Sequence, residues 1–143
     1  MTTPAIDPVN VRRATLADAD AIFALVPRLV AFGPPAWRDP ATMTITGRKV
    51  IGAALRATRD DPLVLVAIEG SDIVTGLIRL HSVIDYYTEH RNGHIADLVV
   101  DKAYEGRGIG RQLLVQAEGW ARAQQFEWLT ISVFRENTRR ARV

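Results

Sequence analysis

Residues 93–124 constrain the fold more than any other stretch of the chain. Gly93-His94-Ile95-Ala96-Asp97-Leu98-Val99-Val100 reads as a strand, 101–107 as a turn, and 108–124 as a helix that opens on Gly108-Ile109-Gly110. Ile109, Leu113, Ala117 and Trp120 give that helix one apolar side, with Leu114 and Ala121 beside it. A strand over 126–134 follows, and a crossover of this length requires it to lie parallel to the first. A glycine-rich turn entering a helix aims several backbone N–H groups and the positive end of the helix dipole at one point, so its ligand is an anion, most simply a phosphate. For any lone glycine a turn residue with positive φ is the plainer reading. Gly106, Gly108 and Gly110 alternate, however, with Arg107 and Arg111 interleaved, and that spacing brings phosphate binding into equal standing.

The rest of the chain supplies a frame for this unit. A first strand is expected over 9–15. Thr15 precedes Asp18 by three residues in a capping-box arrangement, and Ile22, Phe23, Leu25, Val26, Leu29 and Val30 recur at helical spacing over 16–31, with Pro27 inside. Phe32-Gly33-Pro34-Pro35 ends that helix. A second helix over 41–59 would use Ile45, Val50, Ile51, Ala54 and Leu55 as its apolar side, although its threonines and glycines are weak helix formers. Leu63-Val64-Leu65-Val66-Ala67-Ile68 is a continuous apolar run, as in a strand covered on both faces. Gly70-Ser71-Asp72 turns it into a partner strand over 73–84.

At 143 residues the chain fits one domain, 1–143, able to bury a core without metal or disulfide. The absence of cysteine excludes a cysteine nucleophile and thiolate metal sites, and three scattered histidines argue against metal altogether. A net charge of +2 is too small to point to nucleic acid. No run of 18 apolar residues and no leader-like start is visible, so the expectation is a cytoplasmic protein without a membrane partner.

Two familiar phosphate loops fail directly. A dinucleotide fingerprint needs glycine at Arg111 or Leu113, and a Walker loop needs Gly-Lys-Ser/Thr. What fits is Q/R-x-x-G-x-G/A with Gly108 and Gly110 as its glycines. The run from Asp97 to Leu114 closely resembles the acyl-CoA-binding motif of the GNAT N-acetyltransferase superfamily, and the order strand, two helices, hairpin, strand, helix, strand is similar to that fold over essentially the whole chain. The resemblance implies an α/β (α+β) fold, a mixed, mainly antiparallel sheet flanked by helices. It further implies that acetyl-CoA lays its pyrophosphate on the turn N–H groups of Arg107, Gly108, Ile109, Gly110 and Arg111, and its pantetheine arm along Leu98, Val99 and Val100, with Glu105, Gly106 and Asn137 as further cofactor contacts. Three departures stand out. Glu105 occupies the Gln/Arg position, and Ala96 replaces a glutamate that several relatives use as a base. At 137–143 the family's last helix is only beginning, so that helix and the terminal strands are expected to lie beyond Val143. On that view Arg135, Arg139, Arg140 and Arg142 form a solvated helix face.

Acyl transfer to an amine needs a base to remove a proton from the alkylammonium, and histidine has the best-placed pKa. Strand alternation puts His94, Ala96, Leu98 and Val100 on one face and Asp97 on the other. The resemblance implies a base on the face and at the depth of His94 and Ala96, which makes His94 the candidate catalytic residue, with a structural histidine as its alternative, and Asp97 reads as a structural acceptor. In this fold the acceptor pocket is roofed by the segment between the first helices and by the connection into the central strand, which implies Phe32, Trp37, Tyr86, Tyr87 and Glu89. The expected function is transfer of acetyl from acetyl-CoA to a primary amine of a small molecule or peptide. The alternative is a degenerate acyl-CoA-binding regulatory domain. An open edge on the last strand would favour a homodimer that completes the sheet.

Overall fold

A computed structural model describes residues 9–31, 39–57, 59–132 and 138–142. The elements run β1 (Asn10–Arg13), a 3-10 turn (Leu16–Asp18), α1 (Ala19–Ala31), α2 (Pro40–Arg56), β2 (Leu63–Glu69), β3 (Ile73–Ile84), β4 (Arg91–Val100), a second 3-10 turn (Lys102–Tyr104), α3 (Ile109–Ala123), β5 (Trp128–Ser132) and β6 (Thr138–Arg142). The strands form one sheet in sequence order, antiparallel throughout except for the parallel pair β4 and β5.

The capping box forms as the sequence predicts. Thr15 N–H donates to the Asp18 carboxylate at 2.8 Å, and both Arg12 guanidinium nitrogens donate to the same carboxylate at 2.8 Å. Asp18 is buried, and the Arg12 hydrogen bonds hold its carboxyl below the usual range against the opposing effect of burial. The start of the first helix is thereby fastened to β1.

Side-chain alternation along β2 and β3 feeds two cores. Ile22, Val26 and Ile51 from α1 and α2 pack over Val66, Leu77 and Val99 on one face. Ile109, Leu113 and Trp120 from α3 pack over Ile78, Leu80 and Ile95 on the other. Each fully buried Leu or Ile contributes about 1.5–3 kcal/mol, so α3 is held mainly by its apolar stripe. Trp120 also donates its indole N–H to the Asp60 carbonyl at 2.6 Å.

Two expectations are corrected. Ile45 and Val50 are 68% and 40% exposed, and Ile51, Ala54 and Leu55 carry the contact of α2 instead. At about 100° per residue Ile45 sits roughly 120° around the helix from the centre of that stripe. Residues 138–142 do not begin a helix: they form β6, antiparallel to β5 with Ile131 opposite Arg139 and Thr130 opposite Arg140. Arg139, Arg140 and Arg142 therefore belong to a strand and not to a helix. Arg135 lies outside the described residues.

Candidate active site

The site is organised by an irregularity in β4. Asp97 pairs with Arg79 and Ile95 with Leu80, which leaves Ala96 as an extra residue with no counterpart in β3. This β-bulge reverses the parity of the strand. Leu98 and Val100 face α3, whereas His94 stands on the α1/α2 face beside Asp97 and Val99. Simple alternation, which put His94 with Leu98 and Val100 and Asp97 opposite, fails at that one residue.

The bulge gathers a polar group on the α1/α2 face. His81 is directly across from His94, their ring centroids 5.3 Å apart at an interplanar angle of 63°. Arg79 Nε donates to Asp97 at 2.5 Å, confirming Asp97 as an acceptor. From β5, Thr130 Oγ1 lies 2.6 Å from His94 Nδ1 and donates to the Gly93 carbonyl at 3.4 Å. Burial is the main effect lowering the pKa of His94, followed by His81 and Arg79, with Asp97 acting the other way. His94 is therefore an imidazole that stays neutral below the usual histidine range. His81, Arg79 and Thr130 escaped sequence reasoning because only the strand registers reveal them.

Beside this group the sheet opens. The parallel ladder between β4 and β5 covers Gly93 to Ile95 and Leu129 to Ile131, yet β4 continues to Val100. In an antiparallel pair alternate residues point their N–H and C=O away from the partner. Between residues 96 and 100 those outward groups have no strand partner among the described residues. Gly93 marks the closed end, where an added Cβ would lie 2.9 Å from Trp120 and 3.1 Å from Leu129.

The glycine turn follows. Gly106 and Gly108 have φ of +78° and +79°, the left-handed region that favours glycine, and Gly108 caps α3 while its carbonyl accepts from Gln112 N at 3.0 Å. The first N–H groups of α3 thus converge beside the opening, with Gly110 half-buried and Arg111 exposed. Arg107 lies 4.9 Å over the Tyr104 ring and 3.6 Å from Glu69. The Tyr104 pKa is raised chiefly by its hydrogen bond to Glu69. Glu105 is ion-paired with Arg28 of α1, so the carboxylate at the motif's departure point is neutralised by a cation from a distant helix. These residues suit a diphosphate and an extended amide-bearing arm.

The remaining candidates are scattered. Tyr86 and Tyr87 are 89% and 91% exposed, and Glu89 takes a left-handed φ of 61°. Asp85 organises this loop by accepting from Tyr87 N and Thr88 N. A cavity of about 600 Å³ lies beneath, lined by Asp85, His90, Arg91, Glu127, Trp128 and Thr130 among others, and not by the two tyrosines. Phe32, Trp37 and Asn137 lie outside the described residues. Among the described residues, no group of three His, Asp or Glu side chains could hold a metal, and no helix is long and apolar enough to cross a membrane.

Solved structures share this architecture. A PaiA N-acetyltransferase from Thermoplasma acidophilum in complex with coenzyme A matches with a TM-score of 0.69 at 15% identity, over 91% of this chain and 82% of that one. A ribosomal-protein-alanine N-acetyltransferase from Brucella melitensis biovar Abortus 2308 gives 0.64 at 16% identity, over 90% and 82%. An aminoglycoside acetyltransferase from an uncultured soil metagenomic sample, in complex with sisomicin, gives 0.60 at 20%, over 87% and 77%. At such identities the likeness is one of fold. No curated protein sequence matches the chain. The family model for the Acetyltransferase (GNAT) family matches residues 31–143, and with most of its length inside that match the chain belongs to the GNAT acetyltransferase family.

Proposed function

We propose that the protein is an acetyl-CoA-dependent N-acetyltransferase that acts on a primary amine by direct transfer within a ternary complex. The observation that carries this reading is the seam beside β4. There a neutral histidine and the open main-chain edge of residues 96–100 lie along one strand that leads into the left-handed glycine turn.

The N–H groups from Gly106 to Arg111 would hold the pyrophosphate, and the outward backbone of Leu98, Val99 and Val100 would pair with the pantetheine amides. Acetyl-CoA, when bound, supplies the acetyl group as an activated thioester. A strand N–H near Leu98 would polarise the thioester oxygen. His94 accepts the proton of the incoming ammonium, whose own pKa of about 10 keeps it unreactive at neutral pH. Because the bulge turns His94 to the face opposite Leu98 and Val100, donor and acceptor would approach from opposite sides of the sheet. The cavity that reaches Thr130 is lined by the Asp85 and Glu127 carboxylates against the single guanidinium of Arg91, an acidic balance that suits a cationic acceptor. Neighbouring folds named for an aminoglycoside and for a ribosomal-protein alanine span both small-molecule and peptide amines, the two acceptor classes consistent with this reading.

Calorimetric titration with acetyl-CoA, followed by a thiol-release assay over a panel of amines, tests the proposal. Binding at micromolar levels and amine-dependent thiol release are expected. Binding with no release for any amine would leave a non-catalytic acyl-CoA-binding domain, and no binding would remove both readings.

A further inference from the structure

His94 is held on its Nδ1 side by a chain of two hydrogen bonds. Nδ1 lies 2.6 Å from Thr130 Oγ1, and that hydroxyl lies 3.4 Å from the Gly93 carbonyl, which can only accept. A hydroxyl has one proton. When it is given to Gly93, a lone pair remains for Nδ1, and in that arrangement Nδ1 carries the ring hydrogen and Nε2 the ring lone pair. Across the strand pair His81 Nδ1 lies 3.1 Å from the Ser82 carbonyl, which likewise only accepts, so His81 has the same tautomer. The two rings are edge to face at 5.3 Å, a separation at which a charge on one opposes a charge on the other. Among the described residues, the other charged groups that act on His94 are Arg79 and Asp97, which are paired to each other.

We propose that Thr130 is a positioning residue for His94, locking the tautomer with Nδ1 protonated and Nε2 as the proton acceptor, and that His81 is its electrostatic neighbour across β3 and β4. This inference rests on the reading of His94 as the base. In the step it serves, the N–H bond of the acceptor ammonium breaks, the proton passes to Nε2, and the electron pair stays on the amine nitrogen. The imidazolium that forms keeps its Nδ1–H on Thr130, so the ring need not turn during the transfer. Outer hydrogen-bond partners of this kind fix both the tautomer and the orientation of the imidazole they hold.

The test begins with nitrogen NMR of the histidine rings in the free protein, where activity plays no part. Wild-type His94 is expected as the Nδ1–H tautomer, Thr130→Val as a mixture, and Thr130→Ser as wild type again. His81→Asn should raise the His94 titration midpoint. In turnover, Thr130→Val should lower kcat about 10-fold or more, with KM for acetyl-CoA unchanged and Thr130→Ser restoring the rate. An Nε2–H tautomer or a mixture in wild type, or a Thr130→Val ring identical to wild type, overturns the inference whatever the rates. A His94→Gln enzyme with an unaltered rate and pH profile would instead overturn the assignment of the base, while the ring spectra still report on Thr130.

Discussion

Replacing Gly108 by alanine isolates the backbone requirement of the anion turn. Gly108 sits at φ +79°, and a Cβ added there meets nothing within 4 Å, so no steric clash confuses the result. What remains is the cost of placing an L-residue in the left-handed region, about 1–2 kcal/mol. Gly110 is the internal control, since its added Cβ would make only an ordinary contact, 3.7 Å from Val100, and it lies in the first turn of α3. Alanine there gains up to about 1 kcal/mol of helix propensity. The two substitutions should therefore move urea-unfolding midpoints in opposite directions. If the Gly108→Ala turn relaxes rather than bearing the strain, the N–H groups at the start of α3 lose their common aim and the cost moves into binding. Coenzyme A affinity would then fall about 5- to 30-fold, the equivalent of 1–2 kcal/mol. Urea titration and calorimetry on both variants together decide the matter. A Gly108→Ala protein with wild-type stability and wild-type coenzyme A affinity would refute the role assigned to this turn.

Other substitutions probe the rest of the site. Gly93→Ala would force a Cβ to within 2.9 Å of Trp120 and should cost about 1–3 kcal/mol in unfolding free energy, read by thermal melts. Asp18→Asn breaks the Arg12 pair and the capping box together. Because the folded carboxyl titrates below its usual 3.8, its stabilisation is full above that pH and is lost as pH falls through the lower folded value, so wild type and variant should converge in acid unfolding curves. The acidic limb of kcat/KM against pH should fall below the usual histidine value of 6.5, because burial keeps His94 neutral there, and a limb above 6.5 would contradict the assignment. Glu105→Gln should change stability by less than about 1 kcal/mol, as for other exposed pairs, and should tighten coenzyme A binding by removing a negative charge beside the turn. Weaker binding would show that the carboxylate has a positive role.

Much of this was legible in the sequence because it rests on local rules. The apolar stripe of α3, the capping box at Asp18 and the hairpin of β2 and β3 are set by spacing, and the glycine turn by residues that tolerate positive φ. What was not legible depends on registers between distant segments. Ala96 looks like any strand residue until Asp97 and Ile95 are seen opposite adjacent residues of β3, and every face assignment before it then changes. The Arg28 partner of Glu105 comes from a helix 77 residues earlier, and Thr130 from a strand 36 residues later than His94. The family resemblance places the start of a helix at 137–143, whereas antiparallel pairing with β5 makes 138–142 a strand.

The unpaired Ala96 acts as a parity switch written into one strand. A regular strand would have given the base and the cofactor arm the same side of the sheet, in competition for one volume. One extra residue lets consecutive stretches of β4 address different faces: the Leu98 and Val100 side chains serve the α3 face and His94 the other, with the open backbone edge between them. A regular strand that kept Ala96 would send His94 into the apolar layer under α3, whereas deleting Ala96 would leave Leu98 three positions after His94 and so keep the two on opposite faces without a bulge. For this chain the count of residues between His94 and Leu98 matters as much as their identity.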